Sequence, residues 1–248
     1  MPKIAIIRIR CQNPKEMLKF YHDVLGMKAL ADDVVGYGGT EAAIQFLPGT
    51  ERYQPRPNDL YWKVALAVPN IELAHQQLTD KGIPVGIPRQ FRDVGYLAHF
   101  QDPEGFTIEL IAHTFQGEQR QEPTDPKCLG GGAHLNLLTL RTANIKPIQE
   151  ACAAWGMTLL SIQPVERNGF TLYFFAFTNE QQPSSNLTAI ENRAWVYQRP
   201  YTVLEVQHLH DAERVLEISG SQSGYLGTEV MQAPGNFSGA DLLRFECA

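Results

Sequence analysis

The sequence has no surplus of positive charge, no cysteine pair and no long apolar run. Twenty-one Lys and Arg stand against 27 Asp and Glu, a net charge of −6 over 248 residues. That balance argues against a nucleic acid or an anionic membrane as the main partner, since both are met with basic patches. It leaves room for a small anion held by a few local arginines. The four cysteines, Cys11, Cys128, Cys152 and Cys247, are far apart and form no CxxC, which disfavours a zinc ribbon, a thioredoxin-like site and a disulfide framework. The opening MPKIAIIRIRCQNPKE breaks its short apolar run with Arg8 and Arg10, unlike a signal peptide. No stretch approaches the roughly 20 apolar residues that span a bilayer. The glycines of SGSQSGYLGT lack a GxxxxGK order, so no phosphate loop is expected. A reduced, soluble, cytoplasmic chain is expected, a monomer or a homodimer, whose partner is a small molecule.

What is present is a repeated order of elements. KIAIIRIR alternates as a strand, with Ile6, Arg8 and Arg10 on one face and Ile7 and Ile9 on the other. NPKEMLKFYHDVLGM then reads as a helix, with Asn13 as cap, Pro14 in the first turn, Met17, Leu18, Tyr21 and Leu25 at helical spacing, and Gly26 as the stop. Short strands follow around VVGYGG and EAAIQFLPG. The order returns: YWKVALAV as strand, NIELAHQQLTDKGI as helix, then YLAHF and FTIELIAH as strands joined at DPEG. Residues 1–113 thus read as a pair of βαβββ modules. Residues 114–131, rich in Gly, Gln and Pro, read as a linker. Residues 132–248 read as a second, more divergent pair, in which YTVLEVQHL opens the fourth module and HDAERVLEI is its helix. The expected fold class is α+β, four tandem βαβββ modules forming two paired, curved open sheets around cavities.

Two phrases, NPKEMLKFYHDVLGM and VALAVPNIELAHQQLTDKGI…HFQDPEGFTIELI, resemble the vicinal oxygen chelate superfamily, which includes glyoxalase I, bleomycin-resistance proteins and extradiol dioxygenases. The resemblance is good over 3–113 and holds only in outline over 134–248. It implies that paired modules enclose a small-molecule cavity. It also implies that a divalent metal, when present, is held by residues on the first and last strands of the modules. Glu109, an acid set among Ile108, Leu110 and Ile111, matches the last-strand carboxylate, a hard ligand for Fe, Mn, Ni or Zn. The other positions do not follow. Ile6 stands where a first-strand histidine is usual, Lys63 stands at the matching place of the second module, and Gln45 is a weak ligand.

Lys63 therefore offers a second partner for Glu109, an ion pair in place of a metal. In the second half Leu137 falls at the first ligand position. His134, Tyr201 and Glu246 form an alternative metal cluster there, beside the reading that this half keeps only the fold. His99, ten residues before Glu109, is a candidate acid–base group. Arg8, sharing a face with Ile6, is a candidate clamp for a carboxylate or phosphate, with Lys63 and Gln45 as further ligand-binding residues. Two functions stay open. One is a cavity with a degenerate metal site that binds a small organic ligand, anionic ones among the candidates. The other is a metal-dependent extradiol ring-cleavage dioxygenase or glyoxalase-type lyase that uses Glu109 as a ligand.

Overall fold

The computed structural model describes residues 2–118, 124–232 and 240–247. The first module is β1 (Lys3–Cys11), α1 (Pro14–Asp23), β2 (Lys28–Ala31), β3 (Val34–Gly36) and β4 (Ala43–Pro48). The second is β5 (Tyr61–Val68), α2 (Ile71–Asp80), β6 (Arg89–Phe91), β7 (Gly95–Gln101) and β8 (Thr107–Ala112). The third comprises β9 (His134–Thr142), α3 (Ile145–Ala154), β10 (Thr158–Val165), β11 (Phe170–Ala176), α4 (Glu191–Tyr197) and β12 (Val203–Leu209). The fourth contributes two strands among the described residues, β13 (Gly224–Met231) and β14 (Phe245–Cys247). The fold is α+β, built of tandem modules in two curved open sheets.

The two halves of the sequence do not close on themselves. One sheet has the order β10-β11-β12-β9-β5-β8-β7-β6 and joins the second module to the third. The other, β14-β13-β1-β4-β3-β2, joins the first to what is described of the fourth. The joints are antiparallel pairs of first strands, β5 with β9 and β1 with β13. Local periodicity marks each module but carries nothing about which module's edge it will meet. The pairing expected within 1–113 and within 132–248 is replaced by an interleaved one.

Two further expectations for the second half change. YTVLEVQHL is β12, the last strand of the third module, running parallel to β9. HDAERVLEI is not a helix. Its Leu216 accepts from the Leu60 backbone and donates to the Asn58 carbonyl, which commits the segment to an extended path beside 58–60. The linker region 114–131 lies partly outside the described residues. Its final part packs on α2, where Gln77 donates to the carbonyls of Pro126 and Cys128 and accepts from the Gly130 amide. Gly130 has φ +56, and an added Cβ would meet Val68 at 2.7 Å, so glycine is required there.

Asparagine side chains cap two of the helices. The side chains of Asn70 and Asn144 accept from Leu73 and Lys146 amides at the heads of α2 and α3. At α1 the work falls to another module: Glu104 of the DPEG turn accepts from the amides of Gln12 and Asn13 and from Asn13 Nδ2. Asp102 in the same turn accepts from the Glu104 and Phe106 amides and from the Tyr21 hydroxyl on α1. The turn thus pins the second module to the first. Among the described residues no helix is long and apolar enough to cross a membrane.

Period-two alternation then sorts the core. On the strands of the eight-stranded sheet Val64, Leu66, Ile108, Leu110, Leu138, Leu140, Leu204 and Val206 face the main core, with α2 and α3 packed in the same cluster. Their neighbours Ala65, Ile111, Leu137 and Val203 form a second cluster with α4, on the opposite face. Lys63, Glu109, Thr139 and Glu205 share the parity of that second set.

Candidate functional site

Four strands deliver four polar side chains to one point of the concave face. β5 brings Lys63, β8 Glu109, β9 Thr139 and β12 Glu205. The register places Lys63 opposite Thr139 and Thr139 opposite Glu205, while Glu109 pairs with Ala65 two residues along from Lys63. Lys63 Nζ donates to Glu109 Oε1 at 2.9 Å, to Thr139 Oγ1 at 2.9 Å and to Glu205 Oε2 at 2.8 Å. All three ammonium protons are therefore used. The Thr139 hydroxyl in turn donates a hydrogen bond to Glu205 Oε2. Side-chain exposure is 4% for Lys63 and 5% for each carboxylate, so these charges are held away from bulk water.

Electrostatics follow from that burial. Desolvation alone would pull the Lys63 ammonium down, but Glu109 and Glu205 outweigh it and hold the lysine above its ordinary range. For Glu109, burial would push the carboxyl up, and Lys63 together with His99 holds it well below the usual carboxylate range. His99 is the direct antiparallel partner of Glu109. Its Nε2 lies 2.9 Å from Glu109 Oε2, close enough for strong attraction when charged but poorly aligned as a hydrogen bond.

A cavity of about 210 Å³ opens over this cluster. Trp62, Phe91, Phe170 and Tyr197 supply aromatic walls, Leu97 and Leu137 aliphatic ones, and Gln207 a further polar group. Tyr197 is fixed by donating to the Val94 carbonyl. α4, which carries it, is held by Asn136 Nδ2 donating to the Val196 and Arg199 carbonyls. Behind Trp62 the Arg141 guanidinium lies 4.4 Å from the ring centroid and donates to Gln207 Oε1. Arg89 stands at the mouth, exposed.

Lys63, Glu109 and His99 are brought together; the other candidates are elsewhere. Arg8 does not enter this cavity. It sits on the six-stranded sheet, bonded to Glu229 at 2.5 Å and to Glu246. Gln45, its register partner on β4, donates to Asp33. Both belong to the sheet that the interleaved pairing separates from Lys63. The expected cluster of His134, Tyr201 and Glu246 is not assembled. His134 Nε2 lies 2.8 Å from the Arg199 carbonyl, and burial and the neighbouring His113 push its imidazole down to about 4. Tyr201 donates to Thr178 Oγ1, and Glu246 pairs with Arg8 on the other sheet.

Glu205, Thr139 and Gln207 were missed. The signal for Glu205 was the one already used for Glu109: VLEV, like TIEL, sets one acid among apolar strand residues. Assigning YTVLEVQHL to the start of a fourth module hid it.

The donor set also decides the fit to a metal. Glu109, Glu205 and His99 are ligands in kind. The Lys63 ammonium, however, lies within 2.9 Å of both carboxylates, at the point a cation between them would take. Among the described residues no group of three or more His, Cys, Asp or Glu could hold a metal ion. This arrangement does not fit a divalent metal.

Interleaved βαβββ modules around a strand-lined cavity define a vicinal oxygen chelate fold. Residues 3–110 match the model of the Glyoxalase/Bleomycin resistance protein/Dioxygenase superfamily. No curated protein matches the sequence. Among solved structures, glyoxalase I from Zea mays superposes with a TM-score of 0.62 at 17% identity, over 93% of this chain and 74% of that one. A putative dioxygenase from Bacillus subtilis subsp. subtilis str. 168 superposes with a TM-score of 0.58 at 14% identity, over 92% of this chain and 69% of that one. At these identities the likeness is one of fold.

Proposed function

We propose that this chain binds a small organic molecule, without a metal, in the cavity of the eight-stranded sheet. One observation carries the reading: Lys63 Nζ occupies the centre of the Glu109–Thr139–Glu205 cluster with all three of its protons bonded. An internal ammonium bridges the two buried carboxylates, so they are held together without a metal. The aromatic and aliphatic walls supply affinity, and the few polar atoms at the floor set orientation, the usual division of labour in such pockets. His99, half-exposed beside Glu109, is the group placed to exchange a proton with a bound molecule. Since one chain supplies both modules of the cavity, a monomer suffices, and we place its work in a reducing cytoplasm, where its four thiols stay free.

The alternative, a metal-dependent dioxygenase or glyoxalase-type lyase, would require Lys63 to leave the carboxylates it bridges. The reading is tested by screening one- and two-ring organic molecules for thermal stabilisation of the protein, with Leu137→Trp as the blocked control. Leu137 lines the cavity, so an indole there fills the space from the wall. Ligands that stabilise the wild type and lose their effect in Leu137→Trp support the reading. An unchanged effect in the filled variant would place binding elsewhere and overturn it.

A further inference from the structure

Resting on that reading, we infer that the cavity selects aromatic molecules bearing a protonated amine, with Glu205 as the group that receives the amine. The charge sum comes first. Lys63, Glu109 and Glu205 total one positive and two negative charges, so with His99 neutral the buried floor keeps one negative charge, and a protonated His99 sets its own charge against Glu109 and not Glu205. Next comes where that charge is available. Glu205 Oε2 accepts from both Lys63 and Thr139, which leaves the other oxygen of the carboxylate outside the Lys63 cluster, and the side chain borders the cavity. A carboxylate oxygen in a site of low exposure is an acceptor that a charged donor satisfies best.

The same geometry works against an anion, the ligand charge anticipated from Arg8 and Lys63. Lys63 has no proton left to give, and Arg8 lies on the other sheet, held by Glu229 and Glu246. Arg89 reaches the cavity only at its exposed mouth, where solvent and salt screen it. The walls fit the rest of the molecule. Phe91, Phe170 and Tyr197 present ring surfaces suited to a flat aromatic body, and such faces also attract a cation. The Trp62 ring already stacks against Arg141, which leaves it as a wall and not as the cation's seat.

Isothermal titration with three probes of one ring system tests the inference: tryptamine, 3-methylindole and indole-3-acetate, against the wild type and Glu205→Gln. Tryptamine is expected to bind about tenfold or more tighter than either of the others to the wild type, a difference of about 1.4 kcal/mol. In Glu205→Gln the preference for tryptamine over 3-methylindole should fall to within about twofold. Binding of the neutral or acidic probe as tight as that of the amine overturns the inference and leaves the cavity reading standing. An amine preference that persists in Glu205→Gln overturns the role of Glu205. If none of the three rings binds at millimolar concentration, the cavity reading itself fails and this inference with it. Should Glu205→Gln not fold, the wild-type ranking of the probes still decides the charge class.

Discussion

The two sheets carry the same charge device in two settings. In each, a first-strand cation sits between two carboxylates: Lys63 between Glu109 and Glu205, and Arg8 between Glu229 and Glu246. The first three side chains are 4%, 5% and 5% exposed, whereas Arg8, Glu229 and Glu246 are 26%, 19% and 63% exposed. Identical charge arithmetic therefore has different consequences. Water can replace either partner of Arg8, so that cluster contributes little. No solvent reaches Lys63 readily, so removing it strands two charges in a low-dielectric floor. The buried cluster also has a cavity over it. The comparison locates function by burial and not by charge pattern.

The largest effect should come from Lys63→Met. Loss of the ammonium is expected to destabilise the protein by about 3–5 kcal/mol in urea denaturation. Adding Glu109→Gln and Glu205→Gln should restore a substantial part of that loss, because the stranded charges go with the lysine. Equal stability of Lys63→Met and the wild type would remove the contrast between the sheets.

Acid and alkali should act on the buried cluster from opposite sides. Glu109 is held well below its ordinary value of 4.5, so its contribution is complete above about pH 4.5 and drains as the pH falls below that. Lys63 is held above its ordinary 10.5, so its contribution is complete below that value and is lost as the pH rises past it. Denaturation midpoints measured between pH 3 and 6, as working points, should fall more steeply for the wild type than for Glu109→Gln. Parallel slopes would mean that Glu109 titrates normally.

The smallest effect is expected on the open sheet. Arg8→Met should cost no more than about 1 kcal/mol and leave ligand responses of the cavity unchanged. A loss matching that of Lys63→Met would mean that the six-stranded sheet hides its ion cluster as well as the other does.

The sequence made some of this legible and not the rest, for physical reasons. Module order was readable because strands and helices write their own periods: Val64 and Leu66 alternate with Ala65, and Asn70 caps the helix that follows. Glu109 was readable because an acid between Ile108 and Leu110 must either face water or find a counter-charge. The partner of each module was not readable, since edge-to-edge choice is a long-range matter that local patterns do not encode. That single gap misplaced Arg8 and Gln45 at the cavity, and it scattered the proposed His134, Tyr201 and Glu246 cluster over two sheets. Glu205 was hidden for a different reason. Its strand follows a helix of seven residues, α4, and a proline-bearing turn that disguised β12 as a new beginning.

The claim most in need of test is that a lysine ammonium, and not a divalent ion, bridges the carboxylates of the cavity. Elemental analysis of protein prepared without chelators, wild type beside Glu109→Gln, addresses it directly. The account predicts no Fe, Mn, Ni or Zn near one equivalent in either protein. One equivalent in the wild type that disappears in Glu109→Gln would contradict it.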